Sequence, residues 1–163
     1  MVEQVRHKPF SSLAQPRELV VACPAFRSHV NLSRLVRLAG CVAISKIITC
    51  GPGKVDRDIA RDAIDHVIIE RRRSLGPTLR DLSQQGYRLV GLEQVQRSVS
   101  LFEYRFPRRA VLLLGNERLG IEAELLGLMD DLVEIPVFGP PHSYNVVTAA
   151  TMAIYEYCKQ YPV

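Results

Sequence analysis

Short apolar runs alternate with segments whose apolar residues return at helical spacing, and this alternation constrains the fold more than any other feature of the chain. The runs are Leu19–Ala22, Ile44–Thr49, His66–Ile69, Tyr87–Leu92, Ala110–Leu114 and Leu132–Pro136. Between them lie helix signals. Asn31 can cap a helix carrying Leu32, Leu35, Val36, Leu38 and Ala39, and Ile59–Ile64 suggests a short helix. Pro77 opens a helix that Gly86 ends, Ala123–Met129 reads as helical, and a last helix starts near Asn145 and runs through Glu156. Strands of near-continuous Val, Leu and Ile, each followed by a helix, predict an α/β fold. Its sheet is mostly parallel, with helices on both faces.

The chain has 163 residues, 47% of them apolar, which suits one domain with a sizeable core and no need of metal or disulfide staples. Residues 1–17 are polar and punctuated by proline and read as an N-terminal arm, leaving 18–163 as the folded domain. A formal charge of +4, from 21 basic and 17 acidic residues, permits a nucleic acid partner without requiring one. The densest basic clusters are Arg71, Arg72 and Arg73, and Arg108 and Arg109; each is a candidate phosphate contact or a solvated face. Cys23, Cys41, Cys50 and Cys158 lack Cys-x-x-Cys spacing, so no metal site is expected, and they read as buried thiols of a reducing compartment. No apolar run approaches the roughly 20 residues that span a bilayer, and no signal sequence opens the chain. A cytoplasmic location follows as the expectation.

Two of the strand-to-loop exits carry glycine beside polar groups. The first is Leu114-Gly115-Asn116-Glu117-Arg118-Leu119-Gly120-Ile121, and the second is Gly139-Pro140-Pro141-His142-Ser143-Tyr144-Asn145-Val146. Glycine lets backbone approach a ligand, and open α/β sheets bind small molecules at the carboxyl ends of their strands. Asn116, Glu117, Ser143 and Asn145 therefore mark a candidate site for something nucleotide-like, although Ser143 and Asn145 are also natural helix caps and Glu117 could be a solvated turn acid. The Gly-x-Gly-x-x-Gly dinucleotide fingerprint is absent, and Gly51-Pro52-Gly53-Lys54 lacks the spacing of a phosphate loop.

These residues resemble the SpoU/TrmH branch of the SPOUT RNA methyltransferases. Three motifs of that family have counterparts in order and at the right spacing: Asn31 to Arg37, Leu114 to Ile121, and Ile135-Pro136 through Asn145-Val146. The stretch Gly91-Leu92-Glu93-Gln94, with Phe106-Pro107 and Leu112–Ile121, is most similar to the eukaryotic-type tRNA guanosine ribose methyltransferases. The resemblance implies a deep trefoil knot near the C-terminus and S-adenosylmethionine as cofactor. It also implies transfer of a methyl group to a ribose 2′-hydroxyl of RNA, with tRNA and a D-loop guanosine favoured and rRNA or a tRNA anticodon nucleotide as alternatives. Carried over by motif position, Arg37, Asn31, Glu117, Ser143 and Asn145 form the catalytic set. Leu92, Gly115, Asn116, Ile135, Tyr144 and Asn145 hold the cofactor, largely through backbone atoms. The phosphate contacts fall to Arg71, Arg72, Arg73, Arg108 and Arg109. Family members are homodimers joined through the C-terminal helix, where Ala149, Ala150 and Ala153 would permit close packing; burial within the monomer is the other use of such a face.

In-line attack of a ribose hydroxyl needs alignment and stabilisation of the developing alkoxide. A guanidinium with a pKa above about 12 is a poor base, so Arg37 is expected to donate hydrogen bonds to that oxygen, with Glu117 anchoring either Arg37 or its own loop. The chain departs from the family pattern at Leu38 (usually Thr), Ala43 (usually Gly) and Tyr144 (usually Leu). Those departures keep a second reading open: a knotted RNA-binding module that has lost methyl transfer.

Overall fold

A computed structural model describes all of residues 1–163. The elements run in chain order as β1 (Leu19–Cys23), α1 (His29–Cys41), β2 (Lys46–Cys50), α2 (Arg57–Ala60), a 3₁₀ turn (Arg61–Asp65), β3 (Ile68–Arg72), α3 (Gly76–Gln84), β4 (Arg88–Leu92), β5 (Val99–Ser100), β6 (Ala110–Leu113), α4 (Ala123–Leu126), β7 (Asp131–Glu134) and α5 (Val146–Gln160). The strands form one seven-stranded sheet in the order β3-β2-β1-β6-β4-β7-β5. Every pairing is parallel, so all carboxyl ends share one edge.

The alternation of strand side chains builds two cores. Leu19, Val21 and Cys23 of β1 join Leu35, Val36 and Ala39 of α1 and Ala150, Ala153, Ile154 and Tyr157 of α5 on one face. Val20 and Ala22 join Ile48, Leu79, Leu82, Val111 and Leu113 on the other, under α3. Both sheet faces are covered, as the apolar runs predict. Ala150 and Ala153 are fully buried in the first core. Ala150 and Ala153 are thus spent inside the monomer and unavailable for contact with a second copy, while Ala149 is part-buried.

Several local expectations are corrected by tertiary context. Strand β3 extends through Arg71 and Arg72, because as the edge strand it gains only one ladder and tolerates charge on its outer positions. Strand β5 has two residues, held by backbone pairing to β7, and carries no pattern that sequence could reveal. Helix α4 stops after one turn, short of the expected Met129. Cys23 alone among the thiols is buried, whereas Cys41 is exposed. Burial pushes the Cys23 thiol up to about 12. Residues 1–17 contain no helix or strand. Arg17 reaches back to donate to the carbonyls of Val42 at 2.6 Å and Tyr161 at 2.7 Å, tying the end of α1 to the end of α5.

Helix α1 ends in a glycine-type cap without a glycine. The Ile44 N–H returns to the Ala39 carbonyl at 2.9 Å and the Ala43 N–H to that of Gly40 at 3.2 Å, which places Ala43 in the left-handed region at φ +59°. A Cβ there is strained by about 1 kcal/mol. Ala43 is exposed, so no packing compensates. Ala43→Gly should therefore raise stability by about 0.5–1 kcal/mol despite the added freedom of the unfolded chain, as read by chemical denaturation.

Candidate active site

A cleft of about 470 Å³ opens where β4, β6 and β7 end. Its walls are the β4 exit (Leu92, Glu93, Gln94), the β6 exit (Leu114 to Arg118, with Gly120), the β7 exit (Glu134, Ile135, Val137), and the approach to α5 (His142 to Val146). Leu92, Gly115, Asn116, Ile135, Tyr144 and Asn145, the six residues assigned to a cofactor from sequence, all lie on this lining. Glu117 and Ser143 join them there.

Chain chemistry explains the shape of the β6 exit. Asn116 and Gly120 exchange backbone hydrogen bonds at 2.9 and 3.0 Å, closing a tight loop. The Asn116 side-chain oxygen accepts from the Arg118 and Leu119 N–H groups at 3.0 and 3.3 Å, and its amide donates to the Ala25 carbonyl at 3.2 Å. The fold-back is so close that a Cβ at position 115 would lie 2.7 Å from the carbonyl carbon of Gly120. Only glycine fits there.

Asn31 is the third residue of α1 and does not cap it; Ser28 occupies the cap position. Its side chain is buried, at 7% exposure, and is used in both directions. The amide donates to Glu117 Oε1 at 3.0 Å, while the carbonyl oxygen accepts from Asn145 Nδ2 at 3.3 Å. Asn145 Oδ1 in turn accepts from the N–H groups of Val147 and Thr148 at 2.9 and 3.3 Å, capping α5. Glu117 also accepts from the Arg27 and Ser28 N–H groups at 3.2 and 3.4 Å. Three of the motif residues are therefore one hydrogen-bonded chain joining the β6 loop, α1 and α5. Ser143 takes no part in the cap, which Asn145 supplies alone.

Arg37 lies elsewhere. It is exposed, outside the cleft lining, and its Nη1 makes a 3.5 Å contact to the Ile59 carbonyl. Glu117 thus anchors the start of α1, not Arg37. Arg71 donates to the carbonyls of Gly51 and Gly53, at 3.1 and 2.5 Å, and Arg72 pairs with Glu70. Arg71 and Arg72 end β3 and Arg73 follows it, at the same edge of the sheet as the cleft, three strands from β6 and so roughly 15 Å away at about 4.8 Å per strand. Arg108 and Arg109 precede β6 and stand at the opposite edge. There Arg108 lies over the Tyr161 ring at 5.4 Å and Arg109 over that of Tyr87 at 4.5 Å, both near Glu18. Sequence reading missed Glu93, Arg118, Glu134 and Val137 as cleft residues; for the first two, adjacency to Leu92 and Glu117 was the available signal.

Fold and site together define a class: a parallel α/β domain with a cleft at the exits of three neighbouring strands. Residues 18–155 match the SpoU rRNA Methylase family, and the chain belongs to it. The mouse tRNA (guanosine(18)-2'-O)-methyltransferase TARBP1 is 44% identical over 82 residues, covering 50% of this chain and 5% of that protein. The Escherichia coli K12 tRNA (guanosine(18)-2'-O)-methyltransferase is 27% identical over 146 residues, covering 88% of this chain and 64% of its own length. The chain thus spans less than two thirds of either relative. Among solved structures, the Aquifex aeolicus TrmH/SpoU tRNA modifying enzyme superposes with a TM-score of 0.84 at 24% identity, over 88% of this chain and 75% of that one. A protein whose structure concerns 2-OH methylation of C/U34 on tRNA has a TM-score of 0.76 at 25% identity, over 90% and 97%.

Desolvation pushes the Glu117 carboxyl up. Hydrogen bonds from its own N–H, the Asn31 amide and the Arg27 and Ser28 N–H groups outweigh that and hold it below the usual carboxylate range. A lowered folded-state pKa contributes stability that is present above the unfolded value of about 4.3 and is lost as pH falls through the folded one. Glu117→Gln should flatten the loss of stability below about pH 4.5, as measured by denaturant unfolding across pH.

Proposed function

We propose that this chain is an S-adenosylmethionine-dependent RNA 2′-O-ribose methyltransferase that acts on tRNA, with a D-loop guanosine as the favoured target. The observation that carries the reading is the hydrogen-bonded chain Glu117–Asn31–Asn145 at the rim of a cleft walled by the six cofactor-assigned residues. The tRNA assignment draws on the two guanosine(18) relatives.

The cleft suits a bent nucleoside. Leu92, Leu114, Ile135, Val137 and Val146 supply apolar wall, Gly115 and Gly120 bring backbone close, and 470 Å³ falls within the range of small-molecule sites. Glu93, Glu117 and Glu134 outnumber Arg118 on the lining, which favours a positively charged guest. Bound S-adenosylmethionine would supply a methyl group on such a cationic sulfonium. The residues of this chain would hold and orient it: Asn145 fixes the α5 approach, Glu117 the β6 loop, and Tyr144, whose hydroxyl donates to the Pro136 carbonyl at 3.4 Å, spans the motif from Pro136 to α5. Arg37 is assigned to the ribose. Six residues beyond Asn31, it lies about 9 Å further along α1, and its weak contact to Ile59 leaves the guanidinium free to turn toward a docked hydroxyl and stabilise the alkoxide. The hydroxyl proton would pass to a phosphate or to water, because a guanidinium does not take it.

Arg71, Arg72 and Arg73 lie on the cleft's edge of the sheet and are placed to meet flanking phosphates, whereas Arg108 and Arg109 would be reached only by RNA that wraps to the far edge. The exposed N-terminal arm, 1–17, adds Arg6 and Lys8 to that basic surface. A C-terminal knot is supported by topology. Strand β7 lies between β4 and β5 although it follows both in the chain, and α5 then returns to pack against α1. No helix is long and apolar enough to cross a membrane, and four free thiols suit the cytoplasm.

We assign the homodimer contact to the outer face of α5, where Thr148, Thr151 and Tyr155 recur at helical spacing and Tyr155 is 69% exposed. Tyr155→Glu should convert the dimer to monomer in sedimentation at micromolar concentration. Unchanged mass would move the contact elsewhere.

The deciding assay combines the protein, methyl-labelled S-adenosylmethionine and total RNA, followed by mapping of 2′-O-methyl positions. Label in a tRNA D-loop guanosine is expected. Arg37→Ala should cut single-turnover transfer by about 10²-fold or more while leaving cofactor affinity within about twofold. The placement of Arg37 outside the cleft favours one other reading, a non-catalytic RNA-binding module; RNA binding without any methyl transfer would establish it.

A further inference from the structure

Glu93 sits where all three cleft-forming strand exits meet, and no motif residue explains it. Its backbone N–H donates to the Val133 carbonyl at 3.0 Å, extending the β4–β7 ladder one residue past Leu92. Its carboxylate points the other way. Oε2 accepts from the Ile121 N–H at 2.8 Å, while Oε1 accepts from the Gln94 N–H at 3.3 Å. One residue thus fastens the β4 exit to β7 through its backbone and to the β6 loop through its side chain.

The second motif glycine is shaped by the same contact. Gly120 is left-handed at φ +67°, and a Cβ built there would lie 2.5 Å from Glu93 Oε2. Glycine is needed at 120 for its backbone angle, and a side chain there would in addition push the carboxylate away from the Ile121 N–H. Glu117 holds the loop from the α1 side and Glu93 holds its far end, so the lining atoms of Gly115, Asn116 and Gly120 are fixed between two carboxylates. Glu93 itself lines the cleft.

We propose that Glu93 is a positioning residue that sets the width of the cofactor cleft by clamping the β6 loop to the exits of β4 and β7. The proposal rests on the cleft being the S-adenosylmethionine site. Its action is on loop geometry, so its removal lowers cofactor affinity and leaves the ribose chemistry at Arg37 in place.

The test uses the full chain with Glu93→Ala, which removes the acceptor, and Glu93→Gln, which keeps one. Calorimetry with S-adenosylhomocysteine, steady-state kinetics with tRNA, and hydrogen exchange of the Ile121 amide in ¹⁵N-labelled protein are measured for each. Loss of a charge-assisted hydrogen bond predicts about tenfold weaker binding and a matching rise in cofactor KM for the alanine variant, with kcat changed less than about twofold and Ile121 deprotected. Glutamine should restore Ile121 protection and the affinity for S-adenosylhomocysteine, which lacks the sulfonium charge. Gly120→Ala should weaken binding more in the native background than beside Glu93→Ala, because the collision needs the carboxylate. Unchanged Ile121 exchange in Glu93→Ala overturns the clamp, and so does equal impairment of the alanine and glutamine variants or a deprotected amide with unaltered affinity. Should the unaltered chain bind no S-adenosylhomocysteine, the cofactor reading fails, and Ile121 exchange still decides whether Glu93 holds the loop.

Discussion

The site depends on one buried amide. Asn31 spends its donor on Glu117 and its acceptor on Asn145, and through those two bonds the β6 loop, the first helix and the last helix share a single geometry. An apolar replacement would take a donor from Glu117 and an acceptor from Asn145 at once, about 0.5–1.5 kcal/mol for each part-buried bond. The glycines of the β6 exit matter for the same reason. They let a loop fold tightly enough that a carboxylate in its middle can face the start of α1.

The two edges of the sheet have separate work. At the carboxyl edge the polar atoms face a cleft, and at the amino edge they face one another. Arg88 grips Asp131 at 2.8 and 3.0 Å, and Tyr104 donates to the same carboxylate at 2.8 Å. Arg88 holds the Asp131 carboxyl below its usual range, while burial and that hydrogen bond push the Tyr104 phenol well above its own. Arg108 and Arg109, over their tyrosine rings, belong to this closed edge. Charge count alone could not separate a cation facing a ligand from one stacked on an aromatic ring, because the distinction is which end of a strand it borders.

That limit describes what sequence could and could not provide. The central strands β1 and β6 and helix α5 were legible, being strongly apolar and bounded by Pro24, Gly115 and Asn145. The six residues that motif spacing assigns to a cofactor meet in one cleft. Side-chain partners were not legible. Asn31 reads as a cap by type and position, yet it sits a turn inside α1, since Ser28 begins the helix earlier. The small face of α5 reads equally as a dimer seam or as core, and only the packing of Ala150 and Ala153 beneath the sheet decides for core. Ala43 shows the converse. A departure from the family's glycine, visible in sequence, sits at a helix end whose left-handed backbone asks for glycine.

The bonds that define the cleft join residues 86 and 114 positions apart. Contacts of such separation close late, after local helices and strand pairs have formed, because the entropy of closing the intervening chain must be offset first. On a ribosome, the cleft would lack the wall that leads into α5 until that helix emerges, however complete its central strands. Completion of the cleft would then mark the docking of α5 against α1, and a copy cut short of α5 would lack that wall.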